Sequence, residues 1–182
     1  MKKILFIVGS IREKSFNRQL AAEVSKMLEG KVETSFLEYK DIPFMNQDIE
    51  FPASEEVARV RKEAEEADGI WIFTPEYNYS YPGVLKNLLD WLSRPLIKND
   101  PERKSSVKGK KVAISGVAGK SEAAGSRGKL KELLEMMSMK VMETQVGVSI
   151  NPEAWATDEL IISEDKKEEL KKQVEEFLKF LD

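Results

Sequence analysis

The chain has 182 residues, 29 Lys plus Arg against 32 Asp plus Glu, a formal net charge of −3, and neither cysteine nor histidine. Its length suits one domain, residues 1–182, burying roughly 70% of the surface its unfolded form exposes, and the near-balanced charge without a long basic block excludes nucleic acid as a main partner. Lack of cysteine excludes disulfides, thiolate nucleophiles and sulfur-ligated metals, and lack of histidine removes the commonest metal ligand and general base; among the few reaction classes that survive is chemistry carried by an organic cofactor.

Residues 4–8 form a continuous apolar run with no polar alternation, the pattern of a parallel strand covered on both faces. The run is too short for a signal-peptide core and no stretch approaches the ~20 apolar residues of a membrane helix, so a cytoplasmic protein without a membrane partner is expected. A helix follows from Ser15 or Asn17 to residue 29, then a weaker strand over 32–37 and a helix over 54–67 capped by Ser54. Residues 69–73 repeat the buried-strand pattern, followed by a helix over 81–93 with an apolar face of Leu85, Leu88, Leu89 and Leu92. After a polar surface loop over 95–111 come a strand over 111–115, a helix over 128–139 and an alternating fifth strand over 140–150. A last helix is capped by Ser163 and buries Leu170, Val174, Phe177, Leu178 and Leu181. Strand and helix alternate throughout, which predicts an open α/β sheet, doubly wound, with five parallel strands in the order 2-1-3-4-5 and helices on both faces.

Two segments carry the chemistry, each placed where a buried strand hands over to a loop. The first is Gly9-Ser10-Ile11-Arg12-Glu13-Lys14-Ser15-Phe16-Asn17-Arg18, rich in hydroxyls and guanidinium groups at a helix start, where unpaired N–H groups and a partial positive charge favour a phosphate. Taken alone, the segment favours a plainer reading, with Ser15 or Asn17 as an ordinary helix cap and Arg12 as a solvated side chain. The second is Pro75-Glu76-Tyr77-Asn78-Tyr79-Ser80-Tyr81-Pro82-Gly83, whose prolines hold a short loop open so that backbone N–H groups can face a flat polar ring. The first loop has Ile11 and Lys14 where a dinucleotide fingerprint needs glycine, so a mononucleotide suits it better.

The pair S-x-R-x-x-S-x-N and P-E-Y-N-x-S-x-P-G resembles the NADPH-dependent FMN reductase family, with quinone, azo and chromate reductases among its members, from residue 4 to about residue 148. The resemblance implies a flavodoxin-like fold. It implies FMN as cofactor, with Ser10, Arg12, Ser15 and Asn17 on its phosphate, Phe16 beside them, and Pro75, Glu76, Tyr77 and Asn78 bordering the ring. Ser115 and Gly116 are then expected along the ring's other polar edge. NADPH or NADH would supply hydride in a ping-pong cycle, a small-molecule acceptor would leave with two electrons, and no protein acid or base is needed for the hydride step. The helix over 81–93 implies a homodimer or homotetramer. An FMN-binding electron carrier or regulatory protein that turns over no pyridine nucleotide fits the same segments.

The remaining motifs have plain readings. Gly116-Val117-Ala118-Gly119-Lys120-Ser121 lacks the glycine a triphosphate-binding loop needs, with Ile114 in that place. Glu63, Glu65 and Glu66 read as a solvated helix face, and Trp155, Met136, Met137 and Met139 as packing.

Overall fold

The computed structural model describes all residues, Met1–Asp182. Six strands, β1 (Lys3–Val8), β2 (Glu33–Phe36), β3 (Gly69–Thr74), β4 (Lys111–Ala118), β5 (Lys140–Val141) and β6 (Val146–Ser149), form one sheet. Six helices, α1 (Phe16–Leu28), α2 (Glu55–Glu66), α3 (Gly83–Ser93), α4 (Ala124–Met136), α5 (Ala154–Thr157) and α6 (Glu164–Leu181), flank it. Every pairing is parallel, in the order β2-β1-β3-β4, with β5 and β6 both on the far edge of β4. This is the flavodoxin-like order read from the alternation of apolar runs and helical patterns.

Both faces of the central strands are buried, as their unbroken apolar runs require. Ile4, Phe6, Val8, Trp71 and Phe73 point to one side and pack with Leu20, Val24, Val174 and Phe177 of α1 and α6. The alternate residues Leu5, Ile7, Ile70 and Ile72 point to the other and meet α2, α3 and α4 through Val60, Leu88, Leu89 and Leu134. On the first side Phe6 lies edge-on to Phe73, with ring centres 5.1 Å apart, and Trp71 to Phe177, also at 5.1 Å.

The expected fifth strand is interrupted, and Gln173 of α6 accounts for the gap. Its fully buried amide donates Nε2 to the carbonyls of Ile114 at 2.9 Å and Thr144 at 3.0 Å, taking the place of a ladder partner for β4. Its Oε1 accepts from Ser115 Oγ at 2.8 Å, and that hydroxyl in turn accepts from Trp71 Nε1 at 3.0 Å. A polar chain in the middle of the core is thereby closed with no group left over.

Helix starts follow their caps. Ser15, Ser54 and Ser163 accept from the amides of Arg18, Val57 and Lys166, as the sequence predicts. The start of α4 differs: it begins at Ala124 instead of 128, after Ala123 in left-handed backbone with φ 59° and no side-chain cap. The short α5 was not expected either. On α2, Glu63 pairs with Arg59 and Glu66 with Lys62, a solvated ion-paired face. No helix is long and apolar enough to cross a membrane.

Candidate functional site

The site is built where β1, β3 and β4 end. Gly9 terminates β1, and its N–H donates to the Phe73 carbonyl at 2.8 Å. A Cβ there would sit 3.1 Å from Leu85 Cδ2 and 3.3 Å from Pro75 Cδ, so glycine lets the first two loops run side by side. Beyond it Ser15 caps α1. The amides of Phe16 and Asn17, the first two of the helix, have no acceptor in the protein.

Asn17 joins this loop to β4. Its Nδ2 donates to the Val117 carbonyl at 3.2 Å and its Oδ1 accepts from the Val117 N–H at 2.9 Å. The expectation that its side chain meets a phosphate therefore changes: the backbone amide is free and the side chain is committed. Arg12 lies with Cζ 5.1 Å from the centre of the Phe16 ring and gives Nη2 to Asp158.

The second loop folds into a tight reverse turn. Tyr77 and Ser80 exchange both backbone hydrogen bonds, at 2.9 and 3.1 Å, around Asn78 and Tyr79 in left-handed backbone with φ 50° and 60°. Asparagine tolerates that conformation. Tyrosine adopts it at a cost of roughly 1–2 kcal/mol, and its ring stands 75% exposed at the tip.

Glu76 turns its carboxylate away from the loop to the start of α4, where Oε2 accepts from the Ser126 N–H at 2.9 Å. This is the cap that α4 lacks locally. Burial pushes the Glu76 carboxyl up, but hydrogen bonds from the Ser126 amide, the Ser121 side chain and the Gly125 amide, with the Arg127 charge, outweigh it and hold the group below the usual carboxylate range. A Cβ on Gly125 would meet Glu76 Oε2 at 3.0 Å and the Tyr79 carbonyl at 3.3 Å, so a side chain there would crowd this contact. The Glu76 amide has no acceptor in the protein.

These elements enclose a cavity of about 210 Å³. Ser10, Arg12, Ser15, Phe16 and Asn17 from the first loop meet Pro75, Glu76 and Tyr77 from the second, as the two motifs predict. Asn78 sits at the turn tip outside it. Ser115 and Gly116 do not line it: both are buried in β4, where the Ser115 hydroxyl serves Gln173 and Trp71, and Gly116 packs under Ala123. Because β4 runs on to Ala118, the third wall is made by Val117, Ala118 and Gly119.

Two residues missed in the sequence complete the cavity, Ile150 and Trp155. Trp155 was expected to be packing. It is 70% exposed and sets its ring edge-on to Phe16, with centres 5.8 Å apart. No spacing announces it, because it arrives through the fold-back of the chain after β6.

The donor set fits a phosphate-tailed flat heterocycle. Two free amides, two hydroxyls and a guanidinium gather at the α1 end, Glu76 with its free amide belongs to the second loop's wall, and Phe16, Val117, Ala118, Ile150 and Trp155 supply apolar walls. The one carboxylate at the cavity is drawn off to α4.

Comparison with known proteins shows the family and the fold. Residues 2–153 match the family model described as NADPH-dependent FMN reductase. A quinone reductase from Escherichia coli (strain K12) is 34% identical over 168 residues, covering 87% of this chain and 85% of its own. An NAD(P)H-dependent FMN reductase from Pseudomonas aeruginosa is 31% identical over 178 residues, covering 95% and 91%. Among solved structures, the flavoenzyme NAD(P)H:(acceptor) oxidoreductase from Paracoccus denitrificans superposes with a TM-score of 0.86 at 32% identity, over 100% of this chain and 97% of that one.

Proposed function

Since the chain belongs to the NADPH-dependent FMN reductase family, oxidoreductases that use NAD(P)H and FMN, we propose that it reduces quinone-type small-molecule acceptors in a ping-pong cycle, with the cofactor phosphate seated at the start of α1. When bound, FMN supplies hydride acceptance from NAD(P)H and two-electron delivery to the acceptor. The observation that carries the reading is the meeting, in one cavity, of the free amides and hydroxyls of the first loop with the free Glu76 amide of the second.

The chain's own part is binding, orientation and exclusion of water. The Phe16 and Asn17 amides, the Ser10 and Ser15 hydroxyls and Arg12 hold the phosphate, aided by the positive end of the α1 dipole. Pro75, Glu76 and Tyr77 border the ring, and the Glu76 amide offers a fixed donor that needs no reorganisation as charge develops. The Glu76–Ser126 and Asn17–Val117 bonds keep these donors in place. No side chain here has to move a proton for the hydride step.

A cavity of about 210 Å³ is smaller than the ~300 Å³ at which small-molecule sites usually begin, so part of a bound flavin would extend past it to the open rim at the exposed Tyr77. In this reading the protein is a homodimer or homotetramer and a second protomer covers that rim, over the exposed Tyr77. The donor is a cytoplasmic coenzyme, and the reading places the protein there.

Steady-state NADPH and NADH oxidation with a benzoquinone tests the proposal. Parallel double-reciprocal lines as quinone is varied are expected; bound flavin with no turnover above background would favour an electron carrier instead.

A further inference from the structure

We propose that Asp158 is a positioning residue for the cofactor's phosphate, acting through Arg12. The match to the family model ends at residue 153, so the segment that carries Asp158 lies outside it. That segment is a closed strap. Asn151 Oδ1 accepts from the Ile161 N–H at 2.9 Å, and Gln19 of α1 binds it on both sides, donating Nε2 to the Asp158 carbonyl at 2.8 Å and accepting from the Leu160 N–H at 2.8 Å.

The strap ends in a carboxylate aimed back at the first loop. Asp158, in left-handed backbone with φ 61°, receives Arg12 Nη2 and, at 3.1 Å, Lys14 Nζ. Asp158 stands outside the cavity while Arg12 lines it. The guanidinium is thus fixed from two directions, by the carboxylate at one nitrogen and by the Phe16 ring beneath it, with Trp155 of the same strap set against Phe16 in turn. Its Nε and Nη1 have no protein acceptor.

An arginine free in solvent loses much rotamer freedom when it grips an anion, and prior immobilisation removes that cost from the binding step. The pairs are solvent-exposed, with side chains 46% and 28% accessible for Arg12 and Asp158, so screening leaves them little part in fold stability. Their consequence is orientation: with Nη2 taken by Asp158, Nε and Nη1 stay free for an anion at the cavity that Arg12 lines.

The test rests on the phosphate assignment made under Proposed function and separates its failure from that of Asp158. FMN and riboflavin, which differ only by the phosphate, are titrated by fluorescence against the wild-type apoprotein and the Arg12→Ala, Asp158→Asn and Asp158→Gly variants, and against Arg12→Ala combined with Asp158→Gly. Glycine suits the positive φ, so the second Asp158 variant removes the carboxylate without straining the strap. Removal of the carboxylate is expected to weaken FMN roughly 5- to 20-fold while riboflavin changes less than about twofold, and to do nothing further in the Arg12→Ala background. Equal loss of both ligands, additive loss in the double variant, unchanged FMN affinity, or tighter FMN binding, the mark of a carboxylate competing with phosphate, would each overturn the inference. If Arg12→Ala itself leaves the FMN-to-riboflavin ratio unchanged, the phosphate assignment falls first and the role of Asp158 with it.

Discussion

The side-chain amide of Asn17, at the start of α1, is closed against the backbone of Val117 near the end of β4, donating to its carbonyl at 3.2 Å and accepting from its N–H at 2.9 Å. The residue is 3% exposed, so the bond pair is a buried rivet between the first loop and the strand that forms the cavity's third wall. Asn17→Ala leaves a donor and an acceptor of Val117 without partners, and should cost roughly 2–4 kcal/mol in urea unfolding. Because the rivet shapes the whole cavity, FMN and riboflavin affinities should fall by the same factor; a selective loss of FMN would place the Asn17 side chain on the phosphate instead.

Ser15 has two tasks. As N-cap of α1 it accepts from the Arg18 amide at 3.3 Å, and its loss as Ser15→Ala should lower stability by about 1 kcal/mol. Combined with Arg12→Ala it should weaken FMN more than about tenfold while sparing riboflavin. Unaltered FMN affinity in the double variant would refute the phosphate assignment.

These two loops were legible in the sequence, and so was the sheet order, for the same reason. Residues 4–8 and 69–73 are apolar at every position because β1 and β3 are covered on both faces, and a loop directly after such a strand sits at the ligand-binding end of the sheet. What was not legible depends on distant partners. The start of α4 is capped by Glu76 from 50 residues away, so no local Ser or Asp marks it. The break between β5 and β6 is filled by Gln173 from a helix 29 residues beyond Thr144. The strand was expected to end at Ser115 because the apolar run stops at Ser115-Gly116, although β4 continues to Ala118 around the buried bond from Ser115 to Gln173. Trp155 has only its neighbourhood in space to identify it.

Glu76 gives a pH prediction. Its folded pKa lies below its unfolded value of about 4.3, so its contribution to stability is fully present above that pH and is lost as pH falls through the folded value. The stability difference between wild type and Glu76→Gln should be flat from neutrality down to about pH 5 and shrink below about pH 4. A difference that instead grew on acidification would contradict the capping role at α4.

Tyr79 is held in left-handed backbone with its ring in solvent. Tyr79→Gly removes the backbone strain along with the ring, and folding stability should stay within about 1 kcal/mol of wild type. FMN affinity should be unchanged, while the ratio of kcat/KM for a small quinone to that for a bulky azo dye shifts. A loss of FMN affinity matching the change in turnover would move Tyr79 from the acceptor side of the site to the cofactor.

The central claim is the seat of the phosphate, and a crystal of the protein grown with FMN tests it most directly. The account predicts the phosphate within hydrogen-bond distance of the Phe16 and Asn17 amides and the Ser15 hydroxyl, with the ring passing the Glu76 amide. A flavin bound with its phosphate elsewhere, or a cavity between the first two loops left empty at saturating FMN, would contradict it.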